Sequence, residues 1–134
     1  MRIACSKNNL KDIRNFVSQT LQSLCVAQHE IDMMVLAVDE VCANRIIHSN
    51  NNDETLYLEL KIMEEKQGIS FEIMDEGEPF DPNHLPENNI PQLIKEKRKG
   101  GLGLMLVRKI MDSFEVKTEN EYTVCKLFKR INLC

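Results

Sequence analysis

Ile69-Ser70-Phe71-Glu72-Ile73-Met74-Asp75-Glu76-Gly77-Glu78-Pro79-Phe80-Asp81-Pro82 is the stretch on which the fold and the site both turn. Ile69, Phe71 and Ile73 alternate with Ser70, Glu72 and Met74, the period-two pattern of a strand with one face in a core. Asp75 keeps the parity of the apolar set, so the strand aims a carboxylate where its apolar groups point. A carboxylate in a core is costly unless donors reach it or its pKa shifts. Two readings follow. Either Asp75 ends the strand and turns outward into the loop at Gly77, or a donor meets it inside, such as an exocyclic amino group of the adenine kind. Gly77 then fits a backbone that a ligand approaches closely.

Outward from this strand the pattern extends in both directions. Leu56, Leu58, Leu60 and Ile62 alternate with Tyr57, Glu59 and Lys61, and the short link around Gly68 predicts an antiparallel hairpin. Residues 114–118 and 121–129 predict a second hairpin around Glu119-Asn120, and residues 1–6 a short strand. Residues 8–25 read as a helix, with Leu10, Ile13, Phe16, Val17, Leu21 and Leu24 on one face. Residues 29–48 form the strongest helical pattern, a wide stripe of Ile31, Met34, Val35, Val38, Val41, Cys42 and Ile46 without Gly or Pro. The polar run at 49–54 reads as a solvated turn. Residues 102–113 predict a third helix carrying Leu102, Met105, Leu106, Ile110 and Met111. Helices interleaved with antiparallel strands predict an α+β fold with the helices on one face of the sheet.

At 134 residues the chain suits one domain, residues 1–134, with a real core. Its 43 % hydrophobic and 28 % charged residues describe a soluble globule. A net charge of −4 argues against non-specific nucleic-acid binding, which needs a basic surface. No apolar run reaches the roughly 20 residues of a membrane span, and the N-terminus lacks a signal-peptide core. The five cysteines (Cys5, Cys25, Cys42, Cys125 and Cys134) are scattered without CxxC spacing. Reduced thiols in a cytoplasmic protein are the expectation, with no zinc site.

Two further segments carry chemistry. Glu40 and Asn44 stand i, i+4 on the long helix and share a face with the small Ala37. They line either a wet helix edge or a magnesium site. Mg²⁺ takes oxygen ligands, keeps several waters and is often held by few protein groups plus phosphates. Asn44 offers an oxygen without charge, and Glu40 a carboxylate to accept a proton from an attacking water or hydroxyl. Lys95-Glu96-Lys97-Arg98-Lys99-Gly100-Gly101-Leu102-Gly103 places four cations before a glycine cluster that opens a helix. Backbone N–H groups freed by glycine, and the helix N-terminus behind them, suit an anion. Neither a GxGxxG dinucleotide turn nor a GxxxxGK[ST] loop is present. Residues 76–101 hold all four prolines and form the one long irregular stretch, and 83–101 is expected to be a mobile lid. His48 reads as a helix-end dipole partner and Cys42 as core.

Together these segments resemble the GHKL ATPase/kinase superfamily. Ala37-Val-Asp-Glu-Val-Cys-Ala-Asn44 resembles its N box, Met74-Asp-Glu-Gly-Glu-Pro-Phe-Asp-Pro82 its G1 box, and Lys99-Gly-Gly-Leu-Gly-Leu104 its G2 box. The resemblance spans nearly the whole chain and is strongest to the bacterial anti-sigma factor serine kinases. It implies a two-layer α/β sandwich with a mixed, mostly antiparallel sheet, the histidine-kinase-like (Bergerat) ATPase fold. It implies ATP and Mg²⁺ as cofactors, Glu40 as the catalytic residue polarising the attacking hydroxyl, and Asn44 as the metal ligand. Asp75 would contact the adenine amino group and Thr123 would lie near adenine. Gly77, Lys97, Arg98, Gly100, Gly101, Leu102 and Gly103 would complete the nucleotide site and its lid. The implied partners are a sigma factor, an anti-anti-sigma protein of the STAS type and a second copy of the chain, with no direct contact to nucleic acid or membrane. Arg45 departs from the family's usual alanine, setting a long cation beside the metal ligand. Two alternatives stay open: a non-catalytic module that uses nucleotide as a conformational ligand, and the ATP-binding domain of a histidine kinase. The start at a strand, without a phospho-acceptor helix, counts against the latter.

Overall fold

The computed structural model describes residues 1–80 and 101–132. Strands β1 (Arg2–Ala4), β2 (Tyr57–Glu65), β3 (Gly68–Asp75), β4 (Ser113–Glu119) and β5 (Tyr122–Arg130) form one sheet in the order β1-β2-β3-β5-β4. Each pairing among them is antiparallel. Helices α1 (Leu10–Ser23), α2 (Gln28–Ala43) and α3 (Gly101–Ile110) accompany it, with a 3-10 turn at Lys7–Asn9 before α1. The expected α+β architecture is the one observed.

Alternation decides which face of the sheet is covered. Leu58, Leu60, Ile69, Phe71, Ile73, Cys125 and Leu127 share one parity and are fully buried. They meet Ile13, Val17 and Leu21 of α1, the stripe of α2 from Ile31 to Cys42, and Val107 and Ile110 of α3 in one core. Strand β3 lies between β2 and β5, so the residue that ends its inner row, Asp75, is flanked by Leu58 on one side and Thr123 on the other.

The turns follow local chemistry. Glu119 faces Tyr122 across a two-residue link, and both linking residues, Asn120 (φ 52°) and Glu121 (φ 71°), are left-handed. That is the backbone of a type I′ hairpin, whose twist matches that of its strands. Helix α3 stops earlier than its apolar pattern predicts. The amide of Asp112 donates to the carbonyl of Phe128 at 2.8 Å and draws the chain into β4.

The larger difference lies after α2. Periodicity predicts one helix over 29–48, but the α-helix ends at Ala43 and Asn44–Ser49 continues as a π-helix. Asn50 explains the widening. Its backbone N–H donates to the Arg45 carbonyl at 3.0 Å, five residues back, and its side-chain Nδ2 donates to the same oxygen at 2.7 Å. Asn51 and Asn52 then turn left-handed, at φ 53° and 55°, a conformation asparagine tolerates better than most residues. The run read as a solvated turn therefore begins with a buried cap.

Cys5, Cys42 and Cys125 are free and buried, as expected of core thiols. Cys25 corrects the expectation of reduced thiols throughout, because it is disulfide-bonded. It occupies an exposed, left-handed position (φ 62°) just after α1, where spatial proximity to a second sulfur has no signature in sequence spacing. Burial pushes the Cys125 thiol up to about 12 and raises Cys42 well above its ordinary value. The thiolate is the reactive form, so a maleimide at pH 8 should leave both unlabelled in the folded protein and label them in denaturant. Peptide mapping checks this, and labelling of either within minutes under native conditions would mean that the core opens there.

Candidate nucleotide site

The first question the sequence poses is what meets Asp75. Its side chain points inward and is completely buried, so the outward reading is excluded. The donor is supplied by the chain itself. Arg45, equally buried, sets its Nε 2.7 Å from Asp75 Oδ2 and its Nη2 2.8 Å from Oδ1. Asn50 Nδ2 (3.0 Å) and the Gly77 amide (2.7 Å) also donate to Oδ1. Four N–H donors thus converge on one carboxylate, with the two guanidinium arms in the parallel fork that makes arginine–carboxylate pairs strong. The third guanidinium nitrogen, Nη1, donates to the Glu78 carbonyl at 2.8 Å, and the Phe80 ring lies 5.6 Å from Cζ.

Arg45 stands three, four and seven residues beyond the buried Cys42, Val41 and Val38, so the helical period itself turns it toward the core. Asn50 pins the carbonyl of the same residue. The cation therefore lies against the expected base-recognition carboxylate, and not beside the expected metal ligand. Sequence reading noted Arg45 as a departure but missed its destination, and it missed Asn50 altogether. One signal was available: a carboxylate of core parity demands buried donors, and arginine and asparagine at a helix end are good candidates.

Gly77 is tight for a related reason. A β-carbon there would lie 2.9 Å from Asp75 Oδ1, 2.9 Å from Ser49 Cβ and 3.1 Å from Arg45 Nη2. What approaches this backbone closely is the protein's own polar cluster. Thr123, paired with Asp75 across the ladder, donates its hydroxyl to the Gly77 carbonyl at 2.6 Å and holds the turn against the sheet. Asn50 Oδ1 is buried with no hydrogen-bond partner among the described residues.

The other two motifs also meet. A β-carbon on Gly103, in the first turn of α3, would run into Glu40 Oε2. The carboxylate of the long helix thus rests on the backbone of the glycine cluster, and a side chain there would have to push the Glu40 carboxylate aside. Asn44, one turn beyond Glu40, is buried, at 9 % exposure. Its uncharged amide oxygen is of the kind that Mg²⁺ takes as a ligand beside its waters. Among the described residues no group of three or more His, Cys, Asp or Glu is placed to hold a metal, so phosphate and water oxygens would have to complete such a shell. Gly101 and Leu102 belong to α3, whereas Lys97, Arg98 and Gly100, with nearly all of the expected lid, lie outside the described residues. The described surface has clefts elsewhere, one beside Glu64–Gln67 and Arg130 and one on the opposite sheet face between Arg2, Tyr57 and Tyr122. Neither is lined by Glu40, Asn44 or Asp75, although the second takes in Met74 and Glu76 on either side of Asp75.

Breaking a buried ion pair by removing one partner costs about 3–5 kcal/mol. Asp75→Ala should lose that much in urea unfolding, and Arg45→Met with Asp75→Leu should recover most of it. A loss below about 1 kcal/mol for the single variant would mean that water reaches the pair.

Known proteins resemble this arrangement. The profile of the histidine kinase-like ATPase domain matches residues 3–129. A serine-protein kinase RsbW of Bacillus licheniformis is 30 % identical over 121 residues, 84 % of this chain and 72 % of that protein. RsbW of Staphylococcus aureus is 29 % identical over 132 residues, 92 % of this chain and 81 % of the relative. Among solved structures, the RsbU and RsbW domains of a Mycobacterium tuberculosis protein match with a TM-score of 0.63 at 12 % identity. That match covers 99 % of this chain and 32 % of the other. The histidine kinase domain of a blue-light activated kinase from Erythrobacter litoralis matches with a TM-score of 0.53 at 16 % identity. It covers 75 % of this chain and 44 % of that one, and at such identities both structures speak for the fold alone.

Proposed function

The chain belongs to the histidine kinase-like ATPase family, and from that premise we propose an ATP-dependent serine-protein kinase of the anti-sigma type. In this reading residues 1–134 form one cytoplasmic ATP-binding domain. It holds a sigma factor inactive, acts as a homodimer, and is relieved by an anti-anti-sigma partner of the STAS type whose serine it phosphorylates. The observation that carries the reading is the contact of Glu40 with the Gly103 backbone, which joins a carboxylate to an anion-binding helix start at one point. Among the described residues no helix is long and apolar enough to cross a membrane, which suits a partner met in solution.

The chemistry assigned to the residues is short. The partner's serine hydroxyl gives its proton to the Glu40 carboxylate as its oxygen bonds to the γ-phosphorus of ATP. The bond from that phosphorus to the β,γ-bridging oxygen breaks, and ADP leaves with the electron pair. Asn44 would hold Mg²⁺ through its amide oxygen, and the ion would supply charge to offset the phosphates. Amides at the start of α3 would meet the same phosphates, and Lys97 and Arg98 are assigned there by the family resemblance alone. Asp75, Gly77 and Thr123 form the base end.

The non-catalytic module remains a second reading because of one observation, the engagement of Asp75 by Arg45. Incubation with labelled ATP, Mg²⁺ and a serine-bearing STAS protein separates the two. Label on the partner's serine is expected, and its absence with every such partner favours the module. Glu40→Gln should keep ATP affinity within a few-fold and slow phosphoryl transfer by about 10² or more. A variant as fast as the parent would remove Glu40 from the proton's path. Asn44→Ala should weaken ATP in calorimetry only when Mg²⁺ is present. Equal weakening with and without the metal would take Asn44 out of its shell.

A further inference from the structure

Asp75 reaches a base only in competition with Arg45. The guanidinium makes two charge-assisted bonds to the carboxylate, at 2.7 and 2.8 Å, inside a site that excludes water from both partners. A purine amino group would offer in exchange a single N–H without charge of its own, against a forked pair of bonds in which both partners are ionised. Arg45 cannot leave cheaply either. Its Nη1 is bonded to the Glu78 carbonyl, its plane is covered by Phe80, and its carbonyl is held by Asn50 twice over. Displacing it would strand two buried charges. The space beside the Gly77 backbone is already filled by Ser49 Cβ and Arg45 Nη2.

We propose that Arg45 is a specificity-determining residue that stands in for the base's amino group on Asp75. The chain then binds purine nucleotides with little regard for the substituent at the purine 6-position. The inference rests on the reading of this site as nucleotide-binding, and it concerns a residue to which that reading gives no role. Affinity would come from the phosphate end, through Asn44 with its metal and the start of α3. The base would be held by shape against the Gly77 turn and Thr123.

Calorimetry with Mg-ADP and Mg-IDP tests this, because inosine carries a 6-oxo group where adenine carries the amine. The parent should bind the two within about threefold, as expected when the amine gains no charge-assisted bond. Arg45→Ala frees Asp75 and should raise the preference for ADP to tenfold or more. Arg45→Gln, which keeps more bulk should the smaller side chain collapse, should move the ratio in the same direction. A ratio of affinities is the readout that a merely structural role for Arg45 would not move. A tenfold preference for ADP in the parent overturns the proposal, including the case in which the adenine amine reaches Asn50 Oδ1 instead. An ADP:IDP ratio unchanged in a folded variant also overturns it. Binding of neither nucleotide to the parent or to folded variants overturns the nucleotide-site reading itself, and the proposal with it.

Discussion

A guanidinium and a carboxylate, both shut off from water, hold the centre of this molecule. Removing two such charges from solvent carries a penalty of several kcal/mol for each, and only good geometry with further hydrogen bonds offsets it. Here the offset is supplied in full view: a forked contact between Arg45 and Asp75, an amide from Gly77, an asparagine, and a carbonyl at Glu78 for the remaining arm. Each of these groups fixes something else. Gly77 fixes the exit of β3, Asn50 fixes the π-helical end of α2, and Thr123 ties β5 to the same turn. The end of the longest helix, the central strand and the loop that follows it therefore cannot move independently. Loosening any one of them exposes a charge.

The same helix serves a second purpose one turn earlier. Glu40 reaches toward the start of α3, with Asn44 one turn beyond it, while the rest of α2 is packed through Ile31, Met34, Val38 and Val41. The rigid apolar side positions the two polar groups, and the change from α- to π-helix at Asn44 separates two tasks in sequence. Glu40 lies against Gly103, whereas Arg45 continues the buried row of Val38, Val41 and Cys42 to Asp75. A single helix thus meets both ends of the candidate site, and the switch between windings sits where the tasks divide, as π-segments often do.

Legibility in the sequence followed the same division. Strand alternation at Leu58–Leu60 and Ile69–Ile73 and the helical stripes were readable because their periods reflect burial on one face, which is a local property. The parity of Asp75 was readable for that reason too, and so was a hairpin around Glu119-Asn120, which turns one residue later at Asn120-Glu121. What was not readable depended on contacts between distant segments. The partner of Asp75 lies 30 residues away in sequence. The burial of Asn50 arises from a cap that only exists once the helix has widened, so a polar run looked solvated. The disulfide at Cys25 has the same character, since only the folded chain decides which sulfurs approach. At Gly77 the sequence showed that something comes close to the backbone, and could not show that the visitor is the protein.

The family resemblance of the motifs covers the two ends of the candidate site unequally. The phosphate end is built from Glu40, Asn44 and Gly103, each of the residue type that the family resemblance leads one to expect, and their chemistry needs only oxygens, amides and a close glycine. The base end departs at a single residue, and that residue has a full charge and a fixed fork. Replacing a methyl group with a guanidinium beside a buried carboxylate does more than fill space. It changes Asp75 from an acceptor awaiting a ligand into half of an internal pair. On the proposed reading, phosphate chemistry and base recognition are separable by one side chain, because the two ends are joined through α2 but satisfied by different donors.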